Sequence, residues 1–211
     1  MSEKLSENFT VAEYIKSQTA TRHGIDNEMS SEHRTNAERL FENVVQPVRE
    51  KFGVTIITSG YRSPELNAKI GGSSRSQHCK GEAVDIECVH ASTEEVSRFI
   101  HDNLDFDQLI LEFYTPGDPN SGWTHVSYKD SKNRKSVLTA SKINGKTVYT
   151  KGLNVWIWNR QVGLKVGKEY DKERGYTEKE WEEMGITWMP IPDEYKKKKA
   201  YTEKEVVIEW Q

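Results

Sequence analysis

Residues Ala83–Cys88 alternate strictly, with Val84, Ile86 and Cys88 on one face and Ala83, Asp85 and Glu87 on the other. A period of two is the mark of a β-strand, and here it puts the Asp85 carboxylate opposite the apolar side. The strand follows a polar loop, residues 73–81, and the two are joined in the run Ser76-Gln77-His78-Cys79-Lys80-Gly81-Glu82-Ala83-Val84-Asp85. Gly81 permits a tight turn that would bring His78 to Asp85. Imidazole and carboxylate are both good zinc ligands. The best third ligand is His125, in Trp123-Thr124-His125-Val126-Ser127, a strand with apolar neighbouring positions. Three protein ligands leave one position for water, the arrangement of a catalytic zinc rather than a structural one. The competing reading makes His78 and His125 ordinary hydrogen-bonded histidines and Asp85 a turn or cap residue, and spacing alone leaves both open. His23, His33, His90 and His101 have no partner at ligand spacing.

The rest of the first two thirds supplies the frame. Phe9, Val11 and Ile15 suit a short helix around residues 11–17. Leu40, Val44 and Val48 repeat at a spacing of four and predict a helix over 36–52, kinked or broken at Pro47. The β-branched run Val54–Thr58, bounded by Gly53 and Gly60, reads as a buried strand. Ser63-Pro64-Glu65 has the form of a helix start, ending near Gly71-Gly72. Ser92 with Glu95 forms a capping box ahead of Val96, Phe99 and Ile100. Residues 106–114 and 123–128 read as a hairpin around TPGDPNSG. These elements predict an α+β domain, a small antiparallel sheet with flanking helices, ending near residue 140. Residues 141–211 form an extension of different character. Five of the six tryptophans (Trp156, Trp158, Trp181, Trp188 and Trp210) lie in 151–211 and predict an ordered, aromatic-rich appendage that could meet a protein partner. The basic run Lys196–Lys199 reads as a solvated face.

Hydrolysis at such a metal needs a general base. Symmetric pairing about the 115–122 loop puts Glu112 directly opposite His125, so that its carboxylate shares the metal's face. A surface acid is the plainer alternative, but the setting Leu109-Ile110-Leu111-Glu112-Phe113 argues against it. Arg62, after Gly60-Tyr61, suits recognition of a substrate carboxylate; a surface ion pair is its alternative. Cys79 and Cys88 are read as free thiols, because one pair makes no disulfide framework. The net charge of -3 gives no clustered basic excess of the kind that marks nucleic-acid binders. No stretch approaches the ~20 apolar residues of a membrane span. The N-terminus lacks the apolar core of a signal peptide, so synthesis in the cytoplasm is expected.

At these residues the sequence resembles the zinc D-Ala-D-Ala carboxypeptidases and their relatives. These include the vancomycin-resistance dipeptidases and carboxypeptidases, phage endolysins that cut L-alanyl-D-glutamate bonds, and the Hedgehog signalling domain. The matching stretches are Ser59-Gly60-Tyr61-Arg62-Ser63, Ser76–Asp85 and Trp123-Thr124-His125. The opening LSENFTVAEYIKSQTA and Phe106-Asp107-Gln108-Leu109-Ile110 resemble the phage-associated branch. The resemblance covers about residues 5–130. It implies the Hedgehog-like fold, a zinc peptidase domain over 1–140, and peptidoglycan or its peptides as substrate. It makes His78, Asp85 and His125 the zinc ligands, Arg62 the arginine that meets the substrate carbonyl or carboxylate, and Ser76 a serine near the substrate. Many relatives carry an acidic base three residues before the last histidine ligand. Here that position is Gly122, which leaves Glu112 as the catalytic base or else a weak or inactive module of a phage particle.

Overall fold

The computed structural model describes residues 3–115, 118–143 and 145–153, together with the strand segments 155–159, 164–168, 186–187 and 206–209. A two-stranded ribbon, β1 (Lys4–Ser6) and β2 (Phe9–Thr10), leads into α1 (Val11–Ile15). Thr10 and Glu13 form a capping box that satisfies the first free amides of α1. The short α2 (Gln18–His23) follows, capped by Ser17.

The long helix starts earlier than the apolar repeat indicates. Ser30 caps α3 (Ser31–Leu40) by accepting from His33 N, and the polar first turn carries no hydrophobic signal. The chain then continues through a π-helical turn, Phe41–Val45, into α4 (Gln46–Phe52). Pro47 thus sits in the first turn of α4, where its missing amide costs least, and the wider π-turn immediately before it absorbs the mismatch. Along this helix Ala37, Leu40, Phe41, Val44, Val45 and Val48 are all buried.

That face packs on a six-stranded sheet of order β3-β4-β6-β5-β7-β8. Its members are β3 (Thr55–Ser59), β4 (Ala83–Cys88), β5 (Gln108–Glu112), β6 (Trp123–Ser127), β7 (Ser136–Ile143) and β8 (Lys146–Lys151). Between β3 and β4 lies α5 (Pro64–Lys69), started by Ser63 as expected; between β4 and β5 lies α6 (Thr93–Asn103), started by the Ser92/Glu95 capping box. Val84, Ile86, Leu109, Leu111 and Val126 point from the sheet into one core with Val96, Ile100, Phe106 and Leu153. Full burial of each large side chain is worth roughly 1.5–3 kcal/mol. The other face of the sheet carries Asp85, His125 and Glu112.

Two strand expectations need correction. The run Val54–Thr58 is not a buried strand: β3 is the edge of the sheet, and Val54 and Ile56 are 46% and 49% exposed. The edge leaves one face without a covering layer, so the β-branched residues report strand propensity rather than burial. The hairpin register also differs. Ile110, not Glu112, stands opposite His125, and Glu112 pairs with Trp123. The connecting loop is asymmetric because Asp118 N bonds Thr115 O, Ser121 N bonds Asp118 O, and Ser121 Oγ accepts from Thr115 N. A slip of two residues preserves the face, so Glu112 still points to the side of His125.

The sheet runs on across residue 140. β7 pairs with β5 in parallel, the sole parallel pair among the described strands, and β8 returns antiparallel to β7. Further on, β9 (Val155–Asn159), β10 (Leu164–Lys168), β11 (Ile186–Thr187) and β12 (Val206–Glu209) form a second, four-stranded antiparallel sheet. Trp181, Trp188, Trp210 and Lys196–Lys199 lie outside the described residues. Among the described residues no helix is long and apolar enough to cross a membrane.

Candidate metal centre

The strand pairing assembles the site. Asp85 on β4 stands directly opposite His125 on β6, so both side chains rise from one point on the sheet. His78 arrives from a 3-10 turn, Gln77–Lys80, that ends at Gly81 in the left-handed conformation (φ 71°). A side chain at Gly81 would also strike the His33 carbonyl, at 2.1 Å from the added carbon. The turn predicted from the sequence is therefore present, and only glycine fits it.

The three residues are buried, and their ligand atoms lie within 4.8 Å of one another. His78 Nε2 is 3.3 Å from His125 Nδ1 and 3.4 Å from Asp85 Oδ1, and His125 Nδ1 is 2.8 Å from Asp85 Oδ1. Donors about 2.0–2.1 Å from a tetrahedral zinc stand about 3.3–3.4 Å apart, so the donor set fits such an ion with a small widening of the closest edge. His78 Nδ1 lies 2.7 Å from the Gly60 carbonyl. A carbonyl only accepts, so Nδ1 carries the hydrogen and Nε2 turns its lone pair to the centre. Such an outer hydrogen bond fixes the tautomer of a ligating histidine.

The charges agree with this arrangement. Burial lowers the pKa of His78 against the opposing pull of Asp85, which favours the neutral imidazole that binds metals. Burial alone would hold the proton on Asp85, but its contacts with His125 and His78 outweigh that, and the carboxyl sits below the usual range. Arg62 Nη2 approaches the second carboxylate oxygen, Oδ2, at 3.3 Å. The guanidinium is anchored by Ser59 Oγ, which accepts from Nε at 3.1 Å and from Nη2 at 2.8 Å. Ser76 begins the His78 turn, half-buried, with no hydroxyl bond to the turn's backbone.

Glu112 is half-buried one strand away from His125, in diagonal register and on the same face. Burial raises its pKa, attraction to His125 opposes that, and repulsion from Asp85 adds to it. The neighbouring position explains why no acid occupies residue 122. Gly122 has φ 67°, and an added Cβ would lie 2.1 Å from the Glu112 carbonyl oxygen and 2.6 Å from Tyr114 N. The hairpin therefore excludes any side chain there.

Residues 7–127 match the sequence profile of the family described as Peptidase M15. The chain belongs to the peptidase M15 family. No curated protein matches the chain. The M15 match ends at the last residue of β6, so it spans all three candidate ligands, Arg62, Ser76 and Glu112, while β7 and β8 lie beyond it.

Several supporting residues of this M15 chain carry no sequence signal. Asn27 is buried and pins the Gly60–Ser63 segment: its amide donates to Tyr61 O at 3.0 Å and its carbonyl accepts from Ser63 N at 2.6 Å. Gln77 Oε1 accepts from Ser127 Oγ at 3.0 Å and from Arg134 Nη2 at 3.2 Å, tying the His78 turn to β6. Of the histidines set aside, His33 bonds the Tyr61 hydroxyl at 3.0 Å and His101 bonds Asp102 at 2.7 Å. Cys79 and Cys88 are free thiols, and neither is in the metal-ligating group found among the described residues.

Proposed function

We propose that this protein is a zinc metallopeptidase that hydrolyses peptide bonds in peptidoglycan stem peptides, as a D,D-carboxypeptidase or an endopeptidase. The observation that carries the reading is the convergence of His78 Nε2, Asp85 Oδ1 and His125 Nδ1 on one point, with an acid on the same face. His78, Asp85 and His125 would hold the ion. When bound, zinc supplies Lewis acidity, polarising a carbonyl and making water acidic near neutral pH. Glu112 is the general base: its carboxylate, partly withdrawn from solvent, takes a proton from the attacking water and returns it to the leaving amine. Arg62, braced by Ser59, keeps Nη1 without a hydrogen-bond partner among the described residues and turns it to a substrate oxygen. Ser76 holds the substrate beside the His78 turn.

The test is digestion of purified peptidoglycan by zinc-loaded and chelator-treated protein, with soluble products read by mass spectrometry. Zinc-dependent D-alanine identifies a carboxypeptidase, and zinc-dependent stem peptides an endopeptidase. Full zinc occupancy with no product from walls of several chemotypes would favour a non-enzymatic, wall-binding part of a phage particle instead. The absence of an acid at position 122 is what motivates that second reading.

A further inference from the structure

Ser76 gives the His78 turn no side-chain cap, so the start of the turn must be fastened in another way. The next residue does this. Gln77 opens the turn, and its main-chain oxygen closes it by accepting from Glu82 N at 3.1 Å. Its side chain reaches further. Gln77 Oε1 accepts from the Ser127 hydroxyl at 3.0 Å and from Arg134 Nη2 at 3.2 Å, while Nε2 donates to Glu82 Oε2 at 3.2 Å. The amide oxygen meets two donors and the nitrogen a carboxylate, which fixes the way the amide is turned. Ser127 is 0% exposed and its Oγ accepts from Gln108 N at 3.0 Å, so its one hydrogen goes to Gln77. Ser127 also lies two residues beyond His125 on β6 and on the same face. One hydrogen bond therefore joins the turn that carries His78 to the strand that carries His125.

Arg134 lies past the family match, which ends at residue 127. Its Nε holds both oxygens of the fully buried Asp107, and its Nη2 is shared between Asp107 and Gln77. A planar guanidinium can span two acceptors in this way, and a single ammonium cannot. The plainer reading of Gln77 is a solvated residue at a turn. Its partners at 50 and 57 positions along the chain, one of them fully buried, are not the local bonds of such a residue. We propose that Gln77 is a positioning residue that holds His78 in register with His125, and that Arg134 holds Gln77 in turn. The inference rests on the zinc site of the reading above, not on the substrate assigned to it.

The experiment measures zinc affinity by competition with a chromophoric chelator, the visible spectrum of the cobalt-substituted protein, and the Tm of the metal-free protein. Gln77→Ala is expected to weaken zinc binding about tenfold, the low end for a residue that supports a ligand, and to alter the cobalt spectrum. Arg134→Lys keeps a charge for Asp107 but has no second arm for Gln77. It should weaken zinc binding in the same direction, and adding it to Gln77→Ala should weaken binding no further. Gln77→Glu combined with Glu82→Gln exchanges the two groups and keeps every bond, so it should restore parental affinity and spectrum. Parental zinc affinity in Gln77→Ala overturns the proposal, as does a lowered Tm with the cobalt spectrum unchanged. Additive losses in the Gln77→Ala, Arg134→Lys double variant overturn the part given to Arg134. Absence of zinc binding by the parent sinks this proposal and the metallopeptidase reading together. Gln77-dependent zinc affinity with no hydrolysis by the parent upholds the positioning role and sinks the peptidase reading alone.

Discussion

Asp85 and His125 face each other across adjacent antiparallel strands, with Oδ1 2.8 Å from Nδ1. The pair is fixed by sheet register, and His78 is brought to it by one turn, held by its 2.7 Å bond to the Gly60 carbonyl. Arg62 occupies the other carboxylate oxygen, so Oδ1 is left to the two histidines. A preformed centre of this kind places its ligands before an ion arrives.

Replacing Asp85 by Asn keeps the shape but removes the negative charge that gathers the centre. Zinc affinity is expected to fall by at least about a hundredfold, beyond the usual effect of changing a residue that merely supports a ligand. Competition with a chromophoric chelator measures it, and parental affinity in Asp85→Asn would remove Asp85 from the ligand set.

The proposed role of Glu112 as the base predicts the pH dependence of turnover. Its working form is the carboxylate, and burial, though opposed by His125, raises its pKa above the ordinary 4.5. Activity should therefore fall as pH decreases through an inflection on the high side of that value, because the base takes up its proton earlier than a solvated glutamate. A kcat/KM profile whose acid limb lies at or below the ordinary value would contradict the assignment.

Gly122→Asp places an acid three residues before His125, yet it is expected to harm this chain. The residue has φ 67° and its added Cβ would meet the Glu112 carbonyl at 2.1 Å. Left-handed strain alone costs about 1–3 kcal/mol, and the clash adds to it. Thermal unfolding should show a clear drop in Tm, with no gain in turnover. A stable and faster variant would show that the hairpin can rebuild to accept the acid.

A buried ion pair locks the segment behind the centre. Arg134 Nε donates to both oxygens of the fully buried Asp107, at 2.9 and 3.0 Å, while Lys129 Nζ lies 3.6 Å away. Arg134→Ala should cost about 2 kcal/mol, less than most broken buried pairs, because Lys129 remains and Arg134 is itself half exposed. Burial would raise the Asp107 pKa, but Arg134 outweighs it, and the net shift is downward. A lowered folded pKa gives stability that is present above the ordinary 3.8 and lost as pH falls through the folded value. Denaturant unfolding should therefore show a smaller loss of stability on acidification in Arg134→Ala than in the parent.

What the sequence conveys well is local. The alternation of Ala83–Cys88, the Gly81 turn and the caps at Ser63 and Ser92 are each written within a few residues, and each has the conformation its chemistry dictates. The meeting of His78, Asp85 and His125 was readable because two of the three lie in one short motif and the third on a strand of the same sheet. The hairpin register was not, since three loop hydrogen bonds shift it by two residues and none leaves a pattern in the strands. Asn27 was equally hidden: its contacts with Tyr61 and Ser63 span more than thirty positions, and an isolated asparagine has no periodicity to betray it. The β-branched run at the edge misled on burial because propensity and exposure are separate properties of a strand.

Zinc-dependent hydrolysis with Glu112 as base is tested most directly by comparing the parent with Glu112→Gln at equal, measured zinc content on purified peptidoglycan. Both proteins are expected to hold one zinc, and the variant to release soluble product at least about a hundredfold more slowly, the usual range for loss of a general base. Equal rates at equal zinc would contradict it.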